Sequence, residues 1–262
     1  MIKFSRILGI ISRHLIPTVR DPIRLADSLY YPFVDLILFG FLAVWAREGA
    51  ISQSDNFMLI FLTCLACWYL VYRSALEISR NLLIEIWDNH LINLLAGPLS
   101  IAEFMISLMI VGLIQAVVTF VYSLLLIYFI FSQNIFYAAW LILFYLPLFL
   151  IFGWSIGLFT AALIFYFGKS MEFVTWAIPW AFALISGAYY SLNLFPKWIQ
   201  KIALLFPGNY LFEGIRETLV MGPSSYNLLM GIGVSIFYFC LAFKFLTWMF
   251  NKSKEKGLNN LG

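Results

Sequence analysis

Residues 104–168 form a run of 65 positions without a single charged side chain. As one helix rising ~1.5 Å per residue it would be roughly 98 Å long, about three times the ~30 Å hydrocarbon core of a bilayer, so it has to fold back on itself. Ser132-Gln133-Asn134 is the only polar cluster inside the run and marks the turn. Two membrane spans follow from it, at about 101–131 and 135–167, the second kinked near Pro147, where a ring replaces a backbone donor. Two apolar runs precede these, 29–45 and 57–72, and two follow, 173–192 and 226–250. The reading is an all-α, polytopic membrane protein with six transmembrane helices. With 63% hydrophobic and 11% charged residues, against roughly 25% charged in soluble domains, a water-soluble globule, a disordered chain and a nucleic-acid-binding module are excluded. Three cysteines cannot make a disulfide framework.

The distribution of Lys and Arg between loops sets orientation. Lys3, Arg6, Arg13, Arg20, Arg24, Arg73, Arg80, Lys169, Lys244, Lys252, Lys254 and Lys256 fall on one side, and only Arg47, Lys197, Lys201 and Arg216 on the other. Both termini are therefore expected in the cytoplasm. Arg13 and His14 interrupt the first apolar stretch and no small-residue cleavage site follows, so no cleavable signal is expected.

Three segments are not spans. Residues 2–16 carry Phe4, Ile7, Leu8, Ile11 and Leu15 on one helical stripe and Lys3, Arg6 and Arg13 on another, a surface helix whose basic face suits anionic headgroups. Pro17 and Asp21-Pro22 force a turn after it. Residues 73–100 contain a short cytoplasmic helix, 85–98, with Leu91, Leu94 and Leu95 at helical spacing and a Gly97-Pro98 stop. Its Trp87, beside Asp88, Asn89 and His90, fits either a protein-contact surface or an interfacial anchor at headgroup level. Residues 193–225 hold two amphipathic helical pieces separated by Pro207-Gly208 and closed by Gly222-Pro223, an outer re-entrant or interfacial hairpin in which Glu213 and Arg216 are spaced to pair.

The run Leu194-Phe195-Pro196-Lys197-Trp198-Ile199-Gln200-Lys201-Ile202-Ala203-Leu204-Leu205-Phe206-Pro207, followed by Asn209-Tyr210 and Glu213-Gly214-Ile215-Arg216, resembles the C-terminal signature of ATP-binding cassette (ABC) type-2 permeases, and Ser186-Gly187 resembles the Ser-Gly that precedes it there. In the cytoplasmic helix Glu85, Leu91, Leu94, Leu95 and Pro98 match the family pattern, whereas Ile86, Trp87, Asn89, His90 and Ile92 depart from it, which leaves the choice of partner chain open. Phe206-Pro207-Gly208 stands where Asn-Pro-Leu is usual. The resemblance implies a single transmembrane domain over 1–262: interface helix 1–28, five spans within 29–192, outer hairpin 193–225, sixth span 226–250 and cytoplasmic tail 251–262. It implies an exporter permease of the inner or plasma membrane, homodimeric, moving a lipid-linked saccharide, a lipid or a hydrophobic drug. A separate ABC ATPase would bind ATP and Mg, with no cofactor in this chain and no nucleic-acid partner. It assigns coupling to that ATPase to Arg6, Arg13, Glu85, Trp87, Asp88, Asn89, His90 and Leu91, and the outer hairpin to Pro196, Trp198, Pro207, Tyr210, Glu213 and Arg216.

Other motifs carry less. Gly168-Lys169-Ser170 lacks the glycine five positions upstream that a phosphate-binding loop requires, since position 163 is Leu163. Cys64 and Cys67 have redox or zinc spacing but sit in an apolar span with no second pair, which reads as packing. With only His14 and His90, a zinc protease or a His-based triad has no material, and Glu85, Asp88 and His90 offer too few donors for a metal. Asp35 lies near the cytoplasmic start of the first span, within reach of water or Arg24, and a capping role and a substrate contact both stay open. Glu103 and Glu172 open their spans, where the helix dipole favours a carboxylate. Gly153 and Gly157 permit close helix approach without locating a dimer seam. The competing function is an ATPase-independent channel or secondary carrier; a membrane-embedded lipid transferase is disfavoured by the scarcity of His and clustered acids.

Overall fold

The computed structural model describes residues 3–48, 56–222 and 224–255, and among these every regular element is helical. Pro223, Lys256 and the rest of the expected tail beyond Glu255 lie outside the described residues. Helix α1 spans Phe4–Arg20 and α2 Pro22–Glu48. The surface helix therefore continues through Pro17, whose carbonyl still accepts from Asp21 N–H at 2.9 Å. The break comes only at Asp21, held extended by the proline that follows it and capping Ile23 N–H at 2.9 Å. Helix α2 begins seven residues before the expected first span because Pro22 at a helix start costs no hydrogen bond.

Helix α3, Phe57–Trp87, runs on past Tyr72 into the 73–100 segment expected to stand apart from the span. Its 31 residues give about 46 Å of helix, more than the ~30 Å of hydrocarbon, so its last turns project beyond the core. The expected cytoplasmic helix 85–98 is accordingly divided. Glu85 and Trp87 end α3, residues 88–90 turn with Asn89 at φ 56°, and α4 is only Leu91–Ala96. Helix α5, Ile101–Phe131, opens with a capping box between Ser100 and Glu103 and closes at Ser132 in the left-handed region, φ 53°.

The expected kink at Pro147 is a full break: α6 is Ile135–Leu141 and α7 is Leu146–Phe167, with the proline in the first turn of α7. Gly168, at φ 72°, ends α7, a 3-10 turn follows over Gly168–Met171, and α8 is Glu172–Ser186. Phe152 of α7 meets Phe182 of α8 with ring centroids 6.0 Å apart, which two collinear helices could not do, so the chain reverses at this turn. Among the described residues five stretches are, by length and composition, able to cross a membrane, with α7 and α8 inside one 41-residue stretch, Leu146–Ser186. The 15 residues of α8 fall short of a crossing, because Gly187 at φ 74° stops it before the expected end at residue 192. Helices α9, Lys197–Ala203, and α10, Pro207–Met221, form the broken hairpin, and α11, Ser225–Glu255, is the last long helix. Pro207 and Gly208 start α10 and do not separate the two pieces; the break itself is residues 204–206.

Two apolar clusters share α3. One gathers Leu62, Trp68, Phe149, Phe152 and Phe212 towards the hairpin end; the other gathers Ile10, Leu82, Leu91, Phe104, Phe165 and Phe250 towards the opposite, basic end. Between them α3 passes close to α5 and α7. A Cβ on Gly153 would overlap Ser74 Oγ and lie 2.6 Å from the Val71 carbonyl, one on Gly157 would lie 2.8 Å from the Ala75 carbonyl, and one on Gly112 2.9 Å from that of Ser74. The two α7 glycines thus serve a crossing within this chain.

Candidate functional site

At the basic end, α1 is fastened to the ends of α3 and α5 by two carboxylates. Arg13 Nε donates to Glu85 Oε1 at 2.7 Å and its Nη2 to Glu85 Oε2 at 3.0 Å, a two-pronged pair, and Nη2 also lies 3.1 Å from His90 Nδ1. Because Arg13 can only donate, that ring nitrogen accepts. Arg6 donates to the Pro98 carbonyl and sits 3.5 Å from Glu103 Oε2, while Lys3 N–H donates to Glu103 Oε1 at 2.8 Å. Arg6 and Arg13, on the face expected to meet anionic headgroups, each have a protein carboxylate as partner. The buried face of α1 is also rotated from the expected stripe. Ile7, Ile10, His14 and Thr18 face inward, and Phe4 and Leu8 lie exposed.

The reason for that rotation is a polar ladder on α3. Arg73, Glu77, Asn81 and Glu85 recur every four residues, all buried. Arg73 lies 3.1 Å from Glu77 and donates to Ser28 of α2, Asn81 Nδ2 donates to Glu77 Oε2 at 3.0 Å, and His14 Nε2 is 3.3 Å from Glu85 Oε1. His14 is lowered from 6.5 to about 4 by burial and by the positive charges of Arg13 and Arg24, with Asn81 opposing. Glu85 does not reverse this, because both its oxygens already answer Arg13. The ladder was missed because a charge was read as ending the span. The i, i+4 spacing of those four residues is the signal that points to it, as Ser100-x-x-Glu103 points to the capping box.

Among the expected coupling residues, Glu85 and Leu91 are buried at 2% and 0% exposure and act as internal anchors. Trp87, Asp88, Asn89 and His90 are exposed and form one turn at the tip, with Lys169 Nζ from the Gly168–Met171 turn 3.4 Å from Asn89 Oδ1. The Gly168-Lys169-Ser170 fragment is thus a chain reversal.

At the other end, Arg216 Nη1 lies 3.1 Å from Glu213 Oε1 and Arg216 also donates to the Gly187 carbonyl, tying α10 to the end of α8. Ser191 Oγ donates to the same Glu213 oxygen at 3.1 Å. Tyr210 is buried, its hydroxyl donating to the Leu204 carbonyl at 3.0 Å across the break, and Pro207 is buried beside it. Pro196 caps α9, which leaves Trp198 65% exposed. Between the two ends runs a column of rings: Tyr72 to Trp180 at 5.8 Å, Trp180 stacked on Tyr189 at 6.4 Å and 8°, and Phe39 against Tyr189 at 5.3 Å. Asp35 sits on this column. It lies on α2, seven residues into the apolar run 29–45 and inside the candidate span Pro22–Ala46, and its partner is the Tyr69 hydroxyl, while Arg24 is 3.6 Å from Asp21. Cys64 and Cys67 are buried free thiols in the core of α3.

A profile of the ABC-2 type transporter family matches residues 6–220. A comparison with curated proteins finds no match. That family's membrane domain is the permease component and pairs with an ATPase subunit. The match runs from the first arginine of the α1 clamp to the end of α10 and so takes in the clamp, the exposed turn, the ring column and the broken hairpin: the chain belongs to the ABC-2 type transporter family and is a multi-pass membrane permease component.

Proposed function

We propose that this chain is the membrane half of an exporter that assembles with a second copy around a path for an amphipathic substrate, and that ATP hydrolysis with Mg on separate subunits drives it. On this reading α7 crosses once and the return crossing is made by α8 together with the segment that follows it to Leu192, giving six spans in the inner or plasma membrane. The basic end with both termini faces the cytoplasm, as the charge distribution supports. The observation that carries the reading is the Arg13–Glu85 pair, at 2.7 and 3.0 Å. It makes α1, the exposed 87–90 turn and the buried α3 one stiff body, so a force applied at the turn is delivered to the helix that both apolar clusters share.

Reconstitution of the chain with its ATPase tests this. Trp87→Ala together with His90→Ala removes exposed contact groups and leaves both carboxylates in place, at the cost of the one acceptor that His90 Nδ1 offers Arg13, and transport-coupled ATP turnover should fall at least about tenfold, the loss of roughly 1.4 kcal/mol of interface. Unchanged coupling rejects the turn as the contact. Gradient-driven flux by the purified chain alone would favour the channel or carrier reading.

A further inference from the structure

We propose that the aromatic cavity around Asp35 binds an organic cation, a quaternary ammonium or protonated amine borne by the amphipathic substrate. The inference rests on the permease reading and narrows its substrate class. The cavity measures about 210 Å³ and opens between α2, α3 and α8. Tyr31 comes from α2, Trp68, Tyr69 and Tyr72 from α3, and Trp176 and Trp180 from α8, with Asp35 among them.

A carboxylate inside an apolar, membrane-spanning helix is expensive unless something compensates its charge. The Tyr69 hydroxyl supplies one hydrogen bond to Asp35 but no charge. Among the described residues no Lys or Arg lies within ion-pair distance of Asp35: Arg24 is engaged by Asp21, and Arg73, one turn along α3 from Tyr69, lies against Glu77 at 3.1 Å. The missing positive charge is therefore to come from outside the chain. The walls suit it. Ring faces carry the negative lobe of their quadrupole and attract a desolvated cation placed over Trp or Tyr, which is why aromatic cages select quaternary ammonium groups. Tyr31, Trp176 and Trp180 are exposed at the mouth, at 55, 38 and 41%, so a headgroup can enter from the side while its chain stays in hydrocarbon.

A saccharide fits this cavity less well. A sugar ring offers many hydroxyls and requires a matching fan of polar groups. Here the Tyr69 hydroxyl is already spent on the one carboxylate, and the other polar atoms of the lining are single groups at ring edges, the hydroxyls of Tyr31 and Tyr72 and the indole N–H groups of Trp68, Trp176 and Trp180.

The test uses the full chain in nanodiscs without ATPase, with hexyltrimethylammonium as probe and its uncharged carbon isostere, 2,2-dimethyloctane, as control. Binding is read by quenching of intrinsic tryptophan fluorescence. The cation should bind saturably and at least about tenfold more tightly than the isostere. Asp35→Asn should erase that preference, Asp35→Glu should keep most of it, and Trp180→Leu should weaken the cation alone. The comparison of the two probes on the unaltered chain needs no variant, so it stands even where Asp35→Asn does not fold. Equal affinity for cation and isostere, or an Asp35→Asn chain that keeps the preference, overturns the inference, as does displacement of the bound cation by an uncharged glycoside at equal concentration. Because no ATPase is present, loss of the cation preference leaves the permease reading standing, and failure of ATP-coupled transport leaves the binding result standing.

Discussion

Glu85 gives both oxygens to Arg13, and that decides the chemistry of His14 next to it. With the carboxylate neutralised and the ring buried, protonation adds a third positive charge beside Arg13 and Arg24, so the folded pKa is about 4 against 6.5 for a free imidazole. Above pH 6.5 both folded and unfolded chains hold a neutral His14 and its contribution is complete. As pH falls from about 6.5 towards 4 the unfolded chain takes up a proton that the folded one refuses, which removes roughly 2 kcal/mol of stability by pH 5. The apparent melting temperature in detergent should therefore drop more between pH 7.5 and pH 5 for the natural chain than for His14→Asn; parallel curves would show that His14 does not titrate this way. Glu103 is the second anchor, accepting from Lys3 N–H and Ser100 N–H at 2.8 Å each. Glu103→Ala removes both the capping box and the first-turn tie of α1, and should destabilise by about 1–2 kcal/mol and expose the 3–6 segment to proteolysis. A protease-resistant N-terminus in that variant would mean Ile7 and Ile10 hold α1 alone.

Gly153 and Gly157 let the backbone of α7 approach α3 to within contact of Val71, Ser74 and Ala75. Gly153→Val has no room on that side, where the Val71 carbonyl is backbone and cannot step aside, so the variant should lose about 1–3 kcal/mol and show a lower melting temperature. The same change at Gly233 of α11, where a Cβ meets nothing within 4 Å, should be nearly silent, and a similar loss at both sites would mean that glycine flexibility, and not the crossing, is at issue. Helix α5 was legible in the sequence because an uncharged run opened by Glu103 has one solution before the polar stop at Ser132-Gln133-Asn134. Helix α3 was not, because rules for spans end them at the first charge, whereas a helix 31 residues long carries Arg73, Glu77 and Glu85 past that point by turning them against one another and against α1. Pro147 and Gly187 misled in the other direction. A proline inside an apolar run reads as a kink and here begins a helix, and the positive φ of Gly187 is invisible until Arg216 is seen donating to its carbonyl from α10. The coupling residues were named from resemblance, but that two of them, Glu85 and Leu91, are buried follows only from the packing of the helices around them.

Because α3 contributes to both apolar clusters, a displacement of its basic end cannot stay local: close-packed side chains transmit it to the ring column and to Tyr69 beside Asp35. The alternative is that α1 hinges away from α3 and α4 during the cycle and the exposed turn moves by itself. The two differ in whether Arg6 must leave the Pro98 carbonyl. Cysteines placed by Arg6→Cys and Pro98→Cys, joined by a short bismaleimide in a Cys240→Ser background, would hold α1 to the segment before α5; Cys64 and Cys67 are buried and need no replacement, while Cys240 is exposed. If the clamp travels as one body, the linked protein with its ATPase should keep ATP-coupled transport within about twofold of the unlinked control, since a twofold change is only ~0.4 kcal/mol on the barrier. Loss of transport on linking, restored by a longer spacer, would instead place a hinge between α1 and α4 and make the Arg13–Glu85 pair a latch that opens in every cycle.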